Sequence, residues 1–312
     1  MSKNGEFSSS DIGKRVTIRL HDKPGYRDLV GHLLTPTSLK NRHGEILEFN
    51  PADIYIWREI IEVPRTATSG APLSMRVYEI ERASSNTWLA KENVEVGNWV
   101  FRADVGITRR ANSALVLGNE NHIDEVITWY RARDLQPTVS IVPNLAPELD
   151  QELERRGFKT LLDVHVMVKN KVDAKVSEEA VSDFEVSDQP SAKWLAVHGD
   201  EKISDLLNAS PAKYLSLEDA GSIIAIGRIS EADGWAIISR IWVAPEVRGK
   251  GLGRKVLRAL ENYAAAAKLA LQVASDNEAA IELYKTEGYE IHHTYRLRSQ
   301  SQQIGLSQDC LC

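Results

Sequence analysis

Apolar and polar residues alternate near the start of the chain in the way that is typical of half-buried strands. Val16, Ile18 and Leu20 are separated by Thr17 and Arg19, which is the period of a strand with one buried face. Further short apolar runs at 29–34, 45–49 and 54–57 are separated by turn sequences rich in Pro, Gly, Asn and Asp. Four or five short strands at this spacing predict a small all-β barrel over residues 1–64.

The pattern breaks at residues 65–72, which have no periodicity and are rich in Pro, Gly, Ser and Thr. Such a stretch is typical of a linker, so we expect a domain boundary there.

Helical and strand patterns alternate after the linker, which indicates α/β architecture. In 73–175 the pattern predicts helices over 74–90, 122–133 and 147–156 and strands over 98–103, 114–117, 138–142 and 161–168. In 176–299 it predicts strands over 235–243, 271–274 and 290–297 and helices from 252 and over 278–287. We expect residues 300–312, which are polar, to be a disordered tail.

Both stretches end in a helix, a glycine, an aromatic residue and a strand, with Gly157-Phe158 in the first and Gly288-Tyr289 in the second. The repeated order favours two duplicated halves. The alternative is that any helix closed by glycine before a strand has this appearance.

Composition narrows the class of protein. At roughly 100–200 residues per domain, 312 residues predict two or three domains. The net charge of −6 argues against a chain coated with basic charge for nucleic acid or anionic lipid.

The two cysteines, Cys310 and Cys312, exclude a disulfide framework and a four-cysteine zinc site. No histidine pair has metal-ligand spacing with a carboxylate, so we expect no metal. The chain has neither an apolar stretch of membrane-spanning length nor the apolar core of a signal peptide, so we expect a cytoplasmic protein.

The predicted barrel is locally basic. Seven Lys or Arg residues between positions 14 and 42 face only Asp22 and Asp28: Lys14, Arg15, Arg19, Lys23, Arg27, Lys40 and Arg42. One interpretation is a solvated outer face; the alternative is a docking surface for nucleic acid or an acidic protein.

The segment 235–254 carries the most specific chemistry. The strand 235–243 leads into Arg248-Gly249-Lys250-Gly251-Leu252-Gly253, and a helix follows. A strand, a glycine-rich turn and a helix N-terminus together form an anion site, because backbone N–H groups converge there and the helix dipole favours negative charge. The Walker A and dinucleotide-binding fingerprints both need a glycine at position 254, which is Arg254.

Residues 235–289 resemble the GCN5-related N-acetyltransferase (GNAT) superfamily. Arg248 to Gly253 matches its acetyl-CoA pyrophosphate loop, and Asn277 to Tyr289 matches its second motif, Asn-x-x-Ala-x-x-Leu-Tyr-x-x-x-Gly-Phe/Tyr. The layout also resembles actinobacterial tandem acetyltransferases such as mycothiol synthase, and most closely a histone-acetyltransferase-like group with an SH3-like barrel in front. The resemblance implies a mixed central sheet flanked by helices, with a degenerate half over 73–175 and a catalytic half over 176–299.

The resemblance also implies the site. Acetyl-CoA would lie between two splayed strands, and a backbone N–H near Val243 would stabilise the tetrahedral oxyanion. The acetyl group would pass directly to an amine of a small molecule, a protein lysine or a protein N-terminus. Tyr284 would protonate the departing thiolate as general acid. The residues expected to bind the cosubstrate are Ile241, Trp242, Val243, Arg248, Gly249, Lys250, Gly251, Leu252, Gly253, Arg254 and Asn277.

The residues leave alternatives open. Tyr284 could be a core aromatic residue, and Asn277 could be only a helix cap. No carboxylate lies at 237–240, where the family often has its general base; an amine that arrives neutral would need no strong base. The middle half has only Gly118-Asn119-Glu120-Asn121 in place of the loop, so we interpret it as a partner that completes the substrate cleft. The alternative to an enzyme is a CoA-sensing regulatory or binding protein whose basic barrel docks a partner or nucleic acid.

Overall fold

The computed structural model describes residues 7–22, 25–41, 44–59, 73–104, 108–171, 183–197 and 203–300. These residues divide between two units, Met1–Arg65 and Thr66–Cys312. The predicted linker 65–72, the predicted border of the two halves at 175/176 and the tail from residue 301 lie outside the described residues.

The first unit is a five-stranded antiparallel sheet. Its strands are β1 (Arg15–Asp22), β2 (Gly25–Thr35), β3 (Ser38–Lys40), β4 (Ile46–Glu48) and β5 (Ile54–Glu59), in the order β4-β3-β2-β1-β5. The alternating apolar residues of β1 face the core, as the sequence pattern predicts. Val16, Ile18 and Leu20 are all buried in one cluster with Trp57. The SH3-like assignment of this unit stays a prediction.

Ion pairs cover part of the basic surface of this unit. Arg19 makes two 2.7 Å hydrogen bonds to the carboxylate of Asp28, and Lys14 lies 2.7 Å from Asp11. Lys23 and Arg42 lie outside the described residues. The pairs favour a solvated outer face over a docking surface, since neutralised cations attract an acidic partner weakly.

The second unit contains one eleven-stranded sheet. Its strands are β6 (Glu92–Val96), β7 (Trp99–Ala103), β8 (Ala114–Val116), β9 (Thr138–Ile141), β10 (Phe158–Asn170), β11 (Glu185–Ser187), β12 (Ala212–Asp219), β13 (Ser222–Ala232), β14 (Trp235–Val243), β15 (Lys268–Ala274) and β16 (Glu290–Gln300). Its helices are α1 (Leu73–Asn86), α2 (Ile123–Arg131), α3 (Pro147–Arg155), α4 (Ala192–Ala196), α5 (Ile203–Asn208), α6 (Leu252–Tyr263) and α7 (Glu278–Thr286).

The predicted elements occur at nearly their predicted positions, with two instructive differences. The helix predicted over 74–90 ends at Asn86, because Trp88 leaves the helix and packs among buried residues of another cluster. The strand β16 extends through Gln300, whose backbone N–H donates to the Pro137 carbonyl, so the chain is ordered one residue into the predicted tail.

The two halves exchange their last strands, which the sequence did not predict. The sheet order is β11-β12-β13-β14-β15-β10-β16-β9-β8-β7-β6. β10, from the middle half, lies between β15 and β16, and β16, from the C-terminal half, lies between β10 and β9. Each half therefore completes the other half's sheet. The sheet also contains two parallel pairs, β8 with β9 and β14 with β15, at equivalent places in the halves.

A β-bulge interrupts β14 near its C-terminal end. Residues 240 and 241 of β14 stand opposite Gly227 alone, and Arg240 adopts a left-handed backbone with φ +57°. A Cβ atom on Gly227 would lie 2.7 Å from side-chain atoms of Val256 and Leu260. Only glycine therefore lets α6 pack against the bulged strand pair.

Candidate functional site

Two parallel strands separate at the centre of the C-terminal half. β14 pairs with β15 only from Trp235 to Ile238, opposite Lys268 to Leu271. Both strands continue beyond that point, to Val243 and Ala274. The bulge at Arg240 turns β14 toward β13, so a gap opens between β14 and β15 in which backbone groups lack a strand partner.

The backbone of Val243 faces this gap. Ala244 donates its N–H to the Ile224 carbonyl on β13, and Ala225 stands opposite Val243 in the register. Hydrogen-bonded and non-hydrogen-bonded pairs alternate along an antiparallel ladder, so the N–H and C=O of Val243 point away from β13. The C=O accepts a 3.0 Å hydrogen bond from Arg248 Nε. Because the Val243 N–H points away from β13, it is directed into the gap, where a ligand can accept its hydrogen bond.

The loop after β14 presents backbone donors at the start of α6. Gly249 and Gly251 have φ of +76° and +81°, and Gly251 is the N-cap of α6. No side chain caps this helix, and its first turn has no acidic residue. The first-turn N–H groups and the positive end of the helix dipole therefore face outward, which suits a phosphate.

One cleft of about 660 Å³ joins these features, a size typical of cofactor sites. Of the residues expected to bind acetyl-CoA, ten line the cleft: Ile241, Trp242, Val243, Arg248, Gly249, Gly251, Leu252, Gly253, Arg254 and Asn277. Lys250 is not among the lining residues and is exposed. Arg254 lines the cleft but forms an ion pair, because its Nε lies 2.7 Å from the carboxylate of Glu287. The backbone of the loop, more than its cations, thus supplies the positive potential.

Tyr284 is a core residue that also lines the cleft. Its side chain belongs to the buried cluster between the sheet and α6, with 6% of its surface exposed, and it packs against Tyr289 with ring centres 6.1 Å apart. It also lines the cleft. A phenol that is held by the core at the cleft wall is well positioned for proton transfer.

Asn277 caps α7. Its Oδ1 accepts a 3.2 Å hydrogen bond from the backbone N–H of Ala280, and the residue also lines the cleft. We expect Asn277→Ala to lower the free energy of unfolding by about 1 kcal/mol, the usual value of such a cap. The measurement is urea denaturation, with Asn277→Ser as the matched variant that retains a capping oxygen.

Calorimetric titration of the same two variants with acetyl-CoA separates the cap from a cosubstrate contact. A cap alone predicts unchanged affinity in Asn277→Ser. A loss of affinity in Asn277→Ser at wild-type stability would contradict this and identify a direct contact with the cosubstrate.

The middle half has negative charge at the equivalent helix terminus. The first turn of α2 carries Asp124 and Glu125, and Glu120 precedes it. A hydrogen bond from His122 lowers the pKa of Glu120, and a hydrogen bond from Arg156 lowers the pKa of Asp124. Both carboxylates therefore stay ionised at neutral pH. A pyrophosphate would be repelled there, so the missing glycine loop is matched by unfavourable electrostatics.

Three carboxylates in or next to the turns that flank β13 and β14 have partners outside the cleft. Glu231 accepts a 2.6 Å hydrogen bond from the Ala265 N–H, and Glu218 is paired with Lys193 at 2.8 Å. Asp233 accepts a hydrogen bond from Asn86. None of the three lines the cleft. Among the described residues, no group of three His, Cys, Asp or Glu residues could hold a metal ion.

A second cavity meets the gap from the other side, and sequence reasoning missed it. It is lined by Ser239 and Arg240 of β14, Gln272 and Ala274 of β15, and residues of the middle half that include Trp88 and Arg110. Arg240 lines both this cavity and the cleft. One signal was readable in the sequence: Arg102, Arg228 and Arg240 each interrupt an apolar strand, and all three are buried.

Known proteins are similar to this chain in sequence and in fold. A family model described as "Probable histone acetyltransferase Rv0428c C-terminal" matches residues 75–298. The uncharacterized N-acetyltransferase YobR of Bacillus subtilis is 28% identical over 249 residues, which are 71% of this chain and 98% of YobR. The probable histone acetyltransferase Rv0428c of Mycobacterium tuberculosis is 28% identical over 303 residues, which are 91% of this chain and 94% of that protein.

Two solved structures agree in fold. A GCN5-related N-acetyltransferase from Kribbella flavida superposes with a TM-score of 0.56 at 13% identity, over 73% of this chain and 96% of that chain. A putative GNAT-family acetyltransferase from Novosphingobium aromaticivorans gives 0.50 at 14% identity, over 72% and 97%. No helix in the described part of the chain is both long and apolar enough to cross a membrane. With the family model covering most of its length, the chain belongs to the Rv0428c C-terminal family and is an acyltransferase of the GNAT type.

Proposed function

We propose that the chain transfers the acetyl group of acetyl-CoA to a primary amine by direct attack within one ternary complex, with Tyr284 as general acid. One observation carries the proposal: the strand gap, the uncapped glycine loop and Tyr284 line a single cleft. The gap supports an extended pantetheine arm, and the helix terminus supports a pyrophosphate. The proposal keeps the cytoplasmic location expected from the sequence.

Each residue has one task in this reaction. The loop from Arg248 to Arg254 binds the phosphates, and the N–H of Val243 donates a hydrogen bond to the thioester oxygen as negative charge develops on it. The amine nitrogen forms a bond to the carbonyl carbon, and the carbon–sulfur bond breaks. Tyr284 gives its proton to the leaving sulfur, since a phenol with a pKa near 10 can protonate a thiolate whose thiol has a pKa near 8.5. The proton that the attacking nitrogen loses then restores the phenol.

Direct attack is favoured over a covalent enzyme intermediate. The only cysteines of the sequence are Cys310 and Cys312, so neither half contains a thiol nucleophile. The relative from Mycobacterium tuberculosis is named a probable histone acetyltransferase. Protein lysine therefore stands beside small amines as a candidate acceptor, and the name alone does not choose between them.

Initial-rate kinetics test the proposed reaction. Thiol release would be measured while acetyl-CoA and the acceptor are varied against each other, after a screen of small amines and lysine peptides. Direct attack predicts double-reciprocal lines that intersect. Parallel lines with a burst of thiol before the acceptor is added would contradict it, because they require an acetylated enzyme.

A further inference from the structure

The second cavity that reaches the strand gap is unusually rich in arginine. We name it the arginine cavity, and its lining includes Trp88, Arg109, Arg110, Ser239, Arg240 and Gln272. No acidic side chain is among the described residues that line it. Thus cationic groups surround a space beside the atoms where acetyl transfer would occur.

Three guanidinium groups pack around one indole ring. The Cζ atoms of Arg110, Arg228 and Arg240 lie 5.5, 5.4 and 5.2 Å from the ring centre of Trp88. Arg228 and Arg240 are buried, with 0% and 4% of their surface exposed. Cation–π contact stabilises each guanidinium to some extent, but it leaves the positive charge in place.

Arg228, which is buried, and Arg110, which is partly buried, donate hydrogen bonds to neutral groups. Arg228 donates to the hydroxyl of Tyr214 at 3.2 Å, to the hydroxyl of Ser210 at 2.9 Å and to the carbonyl of Thr87 at 3.1 Å. Arg110 donates to the amide oxygen of Gln272. Burying cations without carboxylates is costly, so such groups are typical of sites that receive an anion.

A smaller neighbouring cavity is lined by one carboxylate, Glu81, among the described residues. Arg102, Arg110 and Glu81 line it, together with Gln272 and Tyr295 from the first cavity. Glu81 is already hydrogen-bonded to His293 at 3.0 Å. Among the described residues that line the two cavities, four are arginines and one is a carboxylate, so the positive charge there exceeds the negative charge.

The electrostatics agree with this geometry. Burial lowers the pKa of Arg102 and of Arg228, and the nearby Arg110 guanidinium lowers both further, while Glu81 raises that of Arg102. A guanidinium remains charged in spite of such shifts. Burial is the main cause of both shifts, and the Arg110 contribution is the part that reflects a neighbouring positive charge. A bound anion would favour the charged form of these guanidinium groups.

Buried hydroxyl groups add donors without partners. Ser239 lines the arginine cavity and Ser84 lines its neighbour, and the Oγ atoms of both are buried without a hydrogen-bond partner among the described residues. The amide oxygen of Gln272 accepts from both Tyr295, at 3.0 Å, and Arg110. The NH₂ group of Gln272 is then left as a further donor.

The size of the cavity limits the anion. The cavity holds about 50 Å³, and one buried water needs roughly 10–15 Å³ of such space. A carboxylate with its adjoining carbon matches this volume, whereas a sugar ring exceeds it.

We propose that the arginine cavity binds a carboxylate of the acceptor, so that the acceptor is a small amino carboxylate rather than a neutral or cationic amine. The proposal rests on the proposed function, because it assigns the acceptor subsite of the same reaction. Ser239 and Gln272 directly follow the last paired residues of β14 and β15, so a carboxylate held there places its amine at the gap. The middle half, which lacks the loop, thereby contributes Trp88 and Arg110 to the acceptor.

The positive charge of the arginine cavity also bears on how the acceptor amine loses its proton without a carboxylate base. Positive groups near an ammonium lower its pKa, since they disfavour the charged form. An amino group held beside the arginines loses its proton more readily and can attack without a carboxylate base.

Two measurements on the full chain test the acceptor subsite. In the first, the unfolding temperature is recorded with free amino acids, with their carboxamides and with aminoalkyl phosphonates. At least one amino acid should raise it, and the matched carboxamide should not. Arg110→Gln should abolish the rise, Arg110→Lys should retain part of it, and Arg131→Gln, on the exposed face of α2, should leave it unchanged. A rise with phosphonates alone, or with no anion at all, would overturn the proposal.

In the second, thiol release from acetyl-CoA is compared between each amino acid and its carboxamide. The carboxylate should be preferred by about tenfold or more in kcat/KM, as expected for a buried charge pair, and Arg110→Gln should remove the preference. Faster turnover of carboxamides or of lysine peptides would overturn the proposal. Absence of turnover with every amine, beside a carboxylate-dependent rise in unfolding temperature, would instead remove the acetyl-transfer function and leave the anion site standing.

Discussion

Replacement of Tyr284 by Phe is expected to lower kcat for acetyl transfer by about 10²–10⁴-fold, the usual contribution of a general acid. The affinity for acetyl-CoA should not change, because the phosphate loop and the Val243 backbone are untouched. The ring should keep its place, since it is buried in the core against Tyr289. The measurement is thiol release under saturating acetyl-CoA, with calorimetry for affinity.

Tyr289→Phe is the matched control. Its hydroxyl donates to Glu261 at 3.0 Å and does not line the cleft. Removing it should reduce stability by about 1 kcal/mol and leave kcat unchanged. Wild-type turnover in Tyr284→Phe would exclude the general-acid role. A CoA sensor without acetyl transfer would be indifferent to either change.

The variant Gly251→Trp is expected to weaken acetyl-CoA binding by about 100-fold, which corresponds to roughly 2.8 kcal/mol. Nothing lies within 4 Å of a Cβ placed on Gly251, so the indole can extend into the cleft and cover the donors of α6. The left-handed φ of +81° adds a strain of about 1–2 kcal/mol. The measurement is calorimetric titration with acetyl-CoA.

Gly221→Trp separates strain from obstruction. Gly221 has the same φ of +81° and equally open surroundings, but it lies in the turn between β12 and β13, outside the cleft. Both variants should lose similar stability in urea denaturation. Equal affinity for acetyl-CoA in the two variants would show that the loop is not the phosphate site.

Local sequence made it possible to predict most of the residues that line the cleft. The glycines, the strand before them and the helix after them are adjacent in sequence, and the conformations they need, such as the left-handed Gly251, are set by residue type. Tyr284 followed from a motif within one helix. Lys250 does not line the cleft, because neighbouring residues of a loop point in different directions, and the sequence pattern does not record which side faces the cleft.

The strand exchange and the arginine cavity could not be predicted, because both depend on contacts between residues that are distant in sequence. The exchange of β10 and β16 depends on which of several similar strands pair, and hydrophobic alternation is the same for every choice of partner. The arginine cavity joins Trp88 and Arg110 to Ser239 and Arg240, which are more than 100 residues away in sequence. Arginines within apolar strands were the visible sign of buried charge, yet their convergence on one indole ring appears only in the folded chain.

The central claim is that one half of this chain, and only one, binds acetyl-CoA for transfer. Calorimetric titration of the full-length chain with acetyl-CoA, evaluated for stoichiometry, tests it most directly. The structure predicts one site per chain. No binding would contradict the acetyl-transfer function, and two sites would contradict the assignment of the middle half as the partner that lacks a phosphate site.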